Sequence, residues 1–154
     1  MKPLMPVIAL AVLTAACGSS ETGKTADGAN MVKVANALCR PTPNGRDLTA
    51  CYMTLTASGD DRLMSIAAPD AASAQLHEMK IENGEMRMGE VTGGLALPAG
   101  KATALAPNGD HIMLMGLSRP LAEGDVVSLT LGFQKAAPVA VQARVGQPAL
   151  PGAH

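Results

Sequence analysis

Between Leu76 and Leu117, two histidines and five methionines recur at two-residue spacing: His77-x-Met79, Met86-x-Met88 and His111-x-Met113-x-Met115. On an extended strand, residues two apart share a face. His111–Ile112–Met113–Leu114–Met115 therefore turns Ile112 and Leu114 toward a core, and leaves an imidazole and thioethers looking outward. His77 and Met79 repeat the arrangement, as do Met86 and Met88. These donors select a metal. Thioether sulfur is soft and favours copper(I), imidazole tolerates it, and neither is the hard oxygen donor that calcium, magnesium or manganese prefer. Zinc takes cysteine, histidine or carboxylate rather than methionine. A thioether needs no deprotonation and is not lost to a disulfide in an oxidising space, as a thiolate is. It should also hold copper(I) more weakly than thiolate does, which suits a carrier that must release its cargo.

Such faces require strands, and the chain reads as strands throughout. Runs at Met31–Leu38, Thr49–Ala57, Leu63–Ala67, Gln75–Ile81 and Glu85–Val91 are separated by turn formers, and Asn83–Gly84 is a strong hairpin signal. Gly93–Gly94, Pro98–Gly100, Pro107–Asn108–Gly109 and Glu123–Gly124 punctuate the remainder. Val127, Leu129, Leu131 and Phe133 alternate with Ser128, Thr130 and Gly132, and Val139, Val141, Ala143 and Val145 alternate likewise. Many short strands with Gly/Pro turns predict an all-β sandwich. Aromatic residues are nearly absent, so the methionines outside the cluster, Met31, Met53 and Met64, are expected to fill core space.

The first residues read as an export signal. Lys2 precedes the apolar stretch Val7–Leu13, and small residues Ala15–Ala16 precede Cys17. The expected division is a signal peptide at 1–16, an anchoring Cys17 with a small, polar tether at 17–30, a domain at 31–146 and a tail at 147–154. Cys17 after small residues resembles the lipobox of bacterial lipoproteins, which implies lipidation and a periplasm-facing place in the cell envelope. Plain cleavage near Ala16 would instead give a soluble periplasmic protein. Cys39 and Cys51 remain as an even pair that could form a disulfide between neighbouring strands, since Pro41, Pro43, Asn44 and Gly45 between them favour turns. Two free thiols are the alternative. A formal net charge of −1, one Tyr, one Phe and no Trp argue against nucleic acid as a partner. No Ser–His–Asp or paired-carboxylate arrangement can be argued from spacing, and no enzyme is expected.

His77, ten intervening residues, Met88 and then His111-x-Met113 resemble the copper-binding pattern of the periplasmic copper chaperones called PCuAC. Leu76–His77–Glu78, Glu82–Asn83–Gly84–Glu85–Met86–Arg87–Met88, Gly93–Gly94–Leu95, Leu97–Pro98–Ala99–Gly100 and His111–Leu117 resemble that family as well, over roughly residues 31 to 145. The resemblance implies a cupredoxin-like Greek-key β-sandwich holding one copper(I) ion with His77, Met88, His111 and Met113. It also implies delivery of copper for cytochrome c oxidase assembly, directly or through another carrier. Met86 is the rival to Met88, separated from it only by spacing from His77. Met79 and Met115 are expected to pack around the site and shield the ion. The competing readings are a copper-scavenging lipoprotein at the surface and a non-metal sandwich domain whose methionines are core.

Overall fold

Alternation of apolar and polar residues builds ten strands in the computed structural model, which describes residues 29–149. They are β1 (Val32–Cys39), β2 (Leu48–Ala57), β3 (Asp61–Ala67), β4 (Ala71–Glu82), β5 (Glu85–Glu90), β6 (Leu95–Leu97), β7 (Ala102–Leu105), β8 (His111–Leu117), β9 (Val126–Phe133) and β10 (Val139–Val145). No helix occurs among the described residues. Cys17, the expected signal segment, most of the tether and most of the tail lie outside the described residues.

Hydrogen-bonded neighbours run β5-β4-β8-β2-β1-β10-β9-β3-β6, with β7 also on β2. The path folds over on itself, since β3 also contacts β4 and β6 contacts β2. The result is the cupredoxin-like β-sandwich. Its interior is supplied mainly by Met53 and Leu55 of β2, Leu63 of β3, Ile112 and Leu114 of β8, Val127, Leu129 and Leu131 of β9, and Val141 and Ala143 of β10. A single buried leucine of this kind contributes roughly 1.5–3 kcal/mol relative to exposure.

Strand β2 changes partner midway. Leu48–Cys51 pair with β8, and Met53–Thr56 pair with β7. Tyr52 sits at that fork. Cys39 and Cys51 are opposite one another in the β1/β2 register and are joined as a disulfide. At the turn between β4 and β5, Asn83 has φ 54° and Gly84 φ 83°. Positive φ at both central residues is the geometry whose twist matches a two-residue hairpin, and Asn-Gly adopts it most readily.

Two expectations about methionine are corrected. Met53 is core, at 2% exposure, but Met31 and Met64 are exposed at 63% and 52%. Met64 follows the buried Leu63 on β3, so strand alternation turns it outward. Met31 precedes β1 and lies outside the packed face. The short β6 and β7 also escaped the sequence reading.

Candidate metal centre

The register of β4, β5 and β8 decides which side chains meet. His77 is directly opposite His111 across β4/β8 and opposite Glu90 across β4/β5. Residues opposite one another in an antiparallel pair share a face, as do residues two apart. His77, Met79, Met86, Met88, His111, Met113 and Met115 therefore occupy one face of this three-stranded region. Leu76, opposite Ile112, and Ala74, opposite Leu114, occupy the other face and pack into the core. Ile112 and Leu114 anchor β8 in the core, and Leu76 and Ala74 anchor the part of β4 that pairs with it, so the alternation turns His111, Met113 and His77 to the opposite face.

The two imidazoles form the centre of this face. Their ring centroids lie 5.9 Å apart, with planes inclined at 56°. His111 was expected to look outward, and it does face away from the core, but it is only 6% exposed. His77 covers it on one side and Tyr52, with ring centroids 6.3 Å apart, on the other. Tyr52 was missed by the sequence reading. Its signal was present, as the sole tyrosine of the chain one residue after Cys51, but its place beside His111 depends on the fork in β2.

Hydrogen bonds leave one ring nitrogen of each histidine free. His111 Nδ1 donates to the Gly109 carbonyl at 2.9 Å, which leaves the Nε2 lone pair available. His77 Nε2 donates to Gln75 Oε1 at 3.0 Å, which leaves Nδ1 with the lone pair. That Nδ1 is buried and has no hydrogen-bond partner. Buried polar atoms are nearly always paired, so an orphan of this kind calls for an explanation, and a role as a metal ligand supplies one. Burial first, and the neighbouring His111 second, hold the His77 pKa below the ordinary histidine value against an opposing pull from Glu90. A neutral imidazole is the form that binds metal.

The thioethers flank the histidine pair on either side along the strands. Met88 is opposite Met79, one same-face step from Glu90, and is thus a diagonal neighbour of His77. Met113 is opposite Gln75 and is a diagonal neighbour of His77 in the other direction. Diagonal neighbours sit about 7–8 Å apart, within reach of long side chains. Met86 is opposite Ile81, one step farther toward the hairpin tip than Met88. The register thus places Met88 nearer His77 than its rival Met86. Met79 adjoins both His77 and Met88, whereas Met115, opposite Ser73 and Leu48, lies two steps from the histidine row. Among the described residues no group of three or more His, Cys, Asp or Glu gathers, so a centre here draws on sulfur. A neutral two-nitrogen, two-thioether set fits a soft monovalent ion that carries little charge to be compensated.

Residues 32–145 match the family described as "Putative lipoprotein LpqE-like". A curated protein of Leifsonia xyli subsp. xyli, named "Putative lipoprotein Lxx21020", is 40% identical over 121 residues, covering 77% of this chain and 71% of that protein. Among solved structures, the copper-bound PCuAC domain from PmoF2 is 26% identical, with a TM-score of 0.63 over 76% of this chain and 93% of that one. The solution structure of CuI-DR1885 from Deinococcus radiodurans is 32% identical, with a TM-score of 0.58 over 82% of this chain and 84% of that one.

Proposed function

The chain belongs to the LpqE-like family and has the PCuAC fold, and from that premise we propose that it is an envelope lipoprotein that carries one copper(I) ion on His77, Met88, His111 and Met113. The observation that carries this reading is the histidine pair. The two ring centroids lie 5.9 Å apart, each ring has one nitrogen tied back to Gln75 or Gly109, and the free Nδ1 of His77 is buried without a partner. The rings are oriented before metal arrives, which is the role that outer hydrogen bonds play at metal centres. Thioethers on flexible stems then close from both sides. The copper-bound relatives named above support the choice of ion. Copper X-ray absorption on the loaded chain tests it: mixed imidazole and sulfur scattering is expected, and neighbours of nitrogen and oxygen alone would overturn it.

The cargo is held by neutral donors near the surface. A ligand set without thiolate releases copper(I) to an acceptor richer in sulfur, and ligand exchange moves the ion without redox change. We infer that the acceptor belongs to cytochrome c oxidase assembly, a reading supported by the PCuAC resemblance. Loss of oxidase activity under copper limitation on deleting the gene is the expected result; full activity there would count against delivery. Lipidation at Cys17 is supported by the lipoprotein family to which the chain belongs. Cys17→Ser should release the protein from the membrane fraction, and unchanged membrane association would refute the anchor.

A further inference from the structure

The hairpin of β4 and β5 extends beyond the rest of the sheet. Pairing of β4 with β8 ends at His77 opposite His111, whereas pairing with β5 continues to Glu82 opposite Glu85. Residues 78–82 and 85–89 therefore form a two-stranded arm with two unlike faces. One face carries Glu78, Lys80, Glu82, Glu85 and Arg87. There Lys80 pairs with Glu78, and Arg87 lies 3.9 Å from Glu82 and 3.8 Å from Glu85. The other face carries Met79, Ile81, Met86 and Met88, with Met79 opposite Met88 and Ile81 opposite Met86. It is largely bare: Ile81 is 74% exposed, Met86 52% and Met88 51%.

A core-filling role does not account for these methionines, because the arm has no core beneath that face. Solvation favours charged side chains at such a position, as the opposite face of the same arm shows. Three of the four residues are thioethers, two directly opposed and the third next along the strand. We propose that Met79, Met86 and Met88 form a thioether-only site for copper(I) on the arm, from which the ion enters and leaves the histidine pair. The proposal rests on the copper(I) reading of that pair. Met88 is the hinge, since it lies opposite Met79 and is also a diagonal neighbour of His77, which is on the same strand as Met79. In the transfer, Met88 keeps its Cu–S bond while the bonds to Met79 and Met86 sulfur break and bonds to His77 Nδ1, His111 Nε2 and Met113 sulfur form. All donors are neutral, so no proton or electron moves. Three thioethers without nitrogen bind more weakly than the mixed set, which directs the ion inward on loading.

The test uses silver(I), a redox-inert stand-in, on the full chain labelled at the methionine methyls and carrying His77→Ala and His111→Ala. The methyls of Met79, Met86 and Met88 should shift together and saturate at a single equivalent. Met31 and Met64, exposed but isolated at 63% and 52%, are internal controls and should stay in place. Static Met79 and Met86 methyls, or equal shifts at Met31 and Met64, would overturn the site. A second variant keeps both histidines and carries Met79→Leu and Met86→Leu, which nearly conserve volume. It should hold copper(I) within about threefold of the parent affinity but release it to a soluble chelator about tenfold more slowly; unchanged release would refute the transfer role. The two readings fail separately. If silver occupies the arm of the double-alanine chain while the parent chain shows no histidine–copper contact, the histidine reading falls and the arm site stands.

Discussion

Gln75→Leu isolates the orientation of His77 from its capacity to bind. The glutamine does not reach the ion in the proposed centre; it accepts a hydrogen bond from His77 Nε2 at 3.0 Å and so leaves the lone pair on Nδ1. Leucine removes the acceptor, and the neutral ring becomes free to exchange tautomers or rotate. A neutral hydrogen bond contributes roughly 0.5–1.5 kcal/mol net, so copper(I) affinity should fall about two- to tenfold. Outer partners of metal-bound histidines commonly matter by about 10–100-fold, which sets the upper bound. The tautomer is read directly by nitrogen-15 NMR of the metal-free protein, where His77 Nδ1 should be the bare nitrogen and Nε2 the protonated one, and copper(I) competition measures the affinity. A protonated Nδ1 in the parent chain, or a Gln75→Leu variant with unchanged affinity, would refute the orientation argument.

Other consequences concern pH and stability. Burial, then His111, hold the His77 pKa below the ordinary value. The unfolded chain takes up this proton first as pH falls, so stability drops from about pH 6.5, the ordinary histidine value, down to the folded pKa. A proton NMR midpoint for His77 at or above that of free histidine would contradict this. Asp61 is buried and accepts from the backbone N–H groups of Arg62, Lys135 and Ala136 at 2.7, 2.9 and 2.8 Å. Burial opposes its charge, but these bonds, joined by Asn30, hold its pKa below the usual value. Its stabilising contribution is therefore present above the ordinary aspartate pKa and is lost as pH falls through the folded one. Asp61→Ala orphans those donors and should cost about 3 kcal/mol or more in urea unfolding; a loss near zero would show that they find other partners. Opening the Cys39–Cys51 disulfide, which closes a short loop of sequence separation 12, should lower stability by about 3 kcal/mol. An unchanged unfolding midpoint under reduction would contradict that figure.

Much of this architecture is legible in the residues. The alternation of Val127, Leu129 and Leu131 and the Asn83–Gly84 turn locate β9 and the β4/β5 hairpin, because side-chain period and turn geometry are local properties. The shared face of His77, Met79, Met86 and Met88 follows from that hairpin. Strands β6 and β7 were not legible, since Leu95–Leu97 is three residues long and Ala102–Leu105 is alanine-rich; their pairing with β3 and β2 is a tertiary outcome. Burial of His111 was also out of reach, because Tyr52 and His77 cover it from other strands. The same holds for Asp61, whose partners Lys135 and Ala136 lie more than seventy residues away. Composition misled about Met31 and Met64, where a scarcity of aromatics suggested core positions and strand parity or a place outside the strands dictated exposure.

The most direct measurement is a copper(I) competition titration of the full chain beside a variant carrying His111→Ala and Met113→Ala. The parent should take up one ion per chain, and loss of one nitrogen and one sulfur donor should weaken it by about 100-fold or more. Equal affinity in the two proteins would mean that the ion, if bound at all, is held elsewhere.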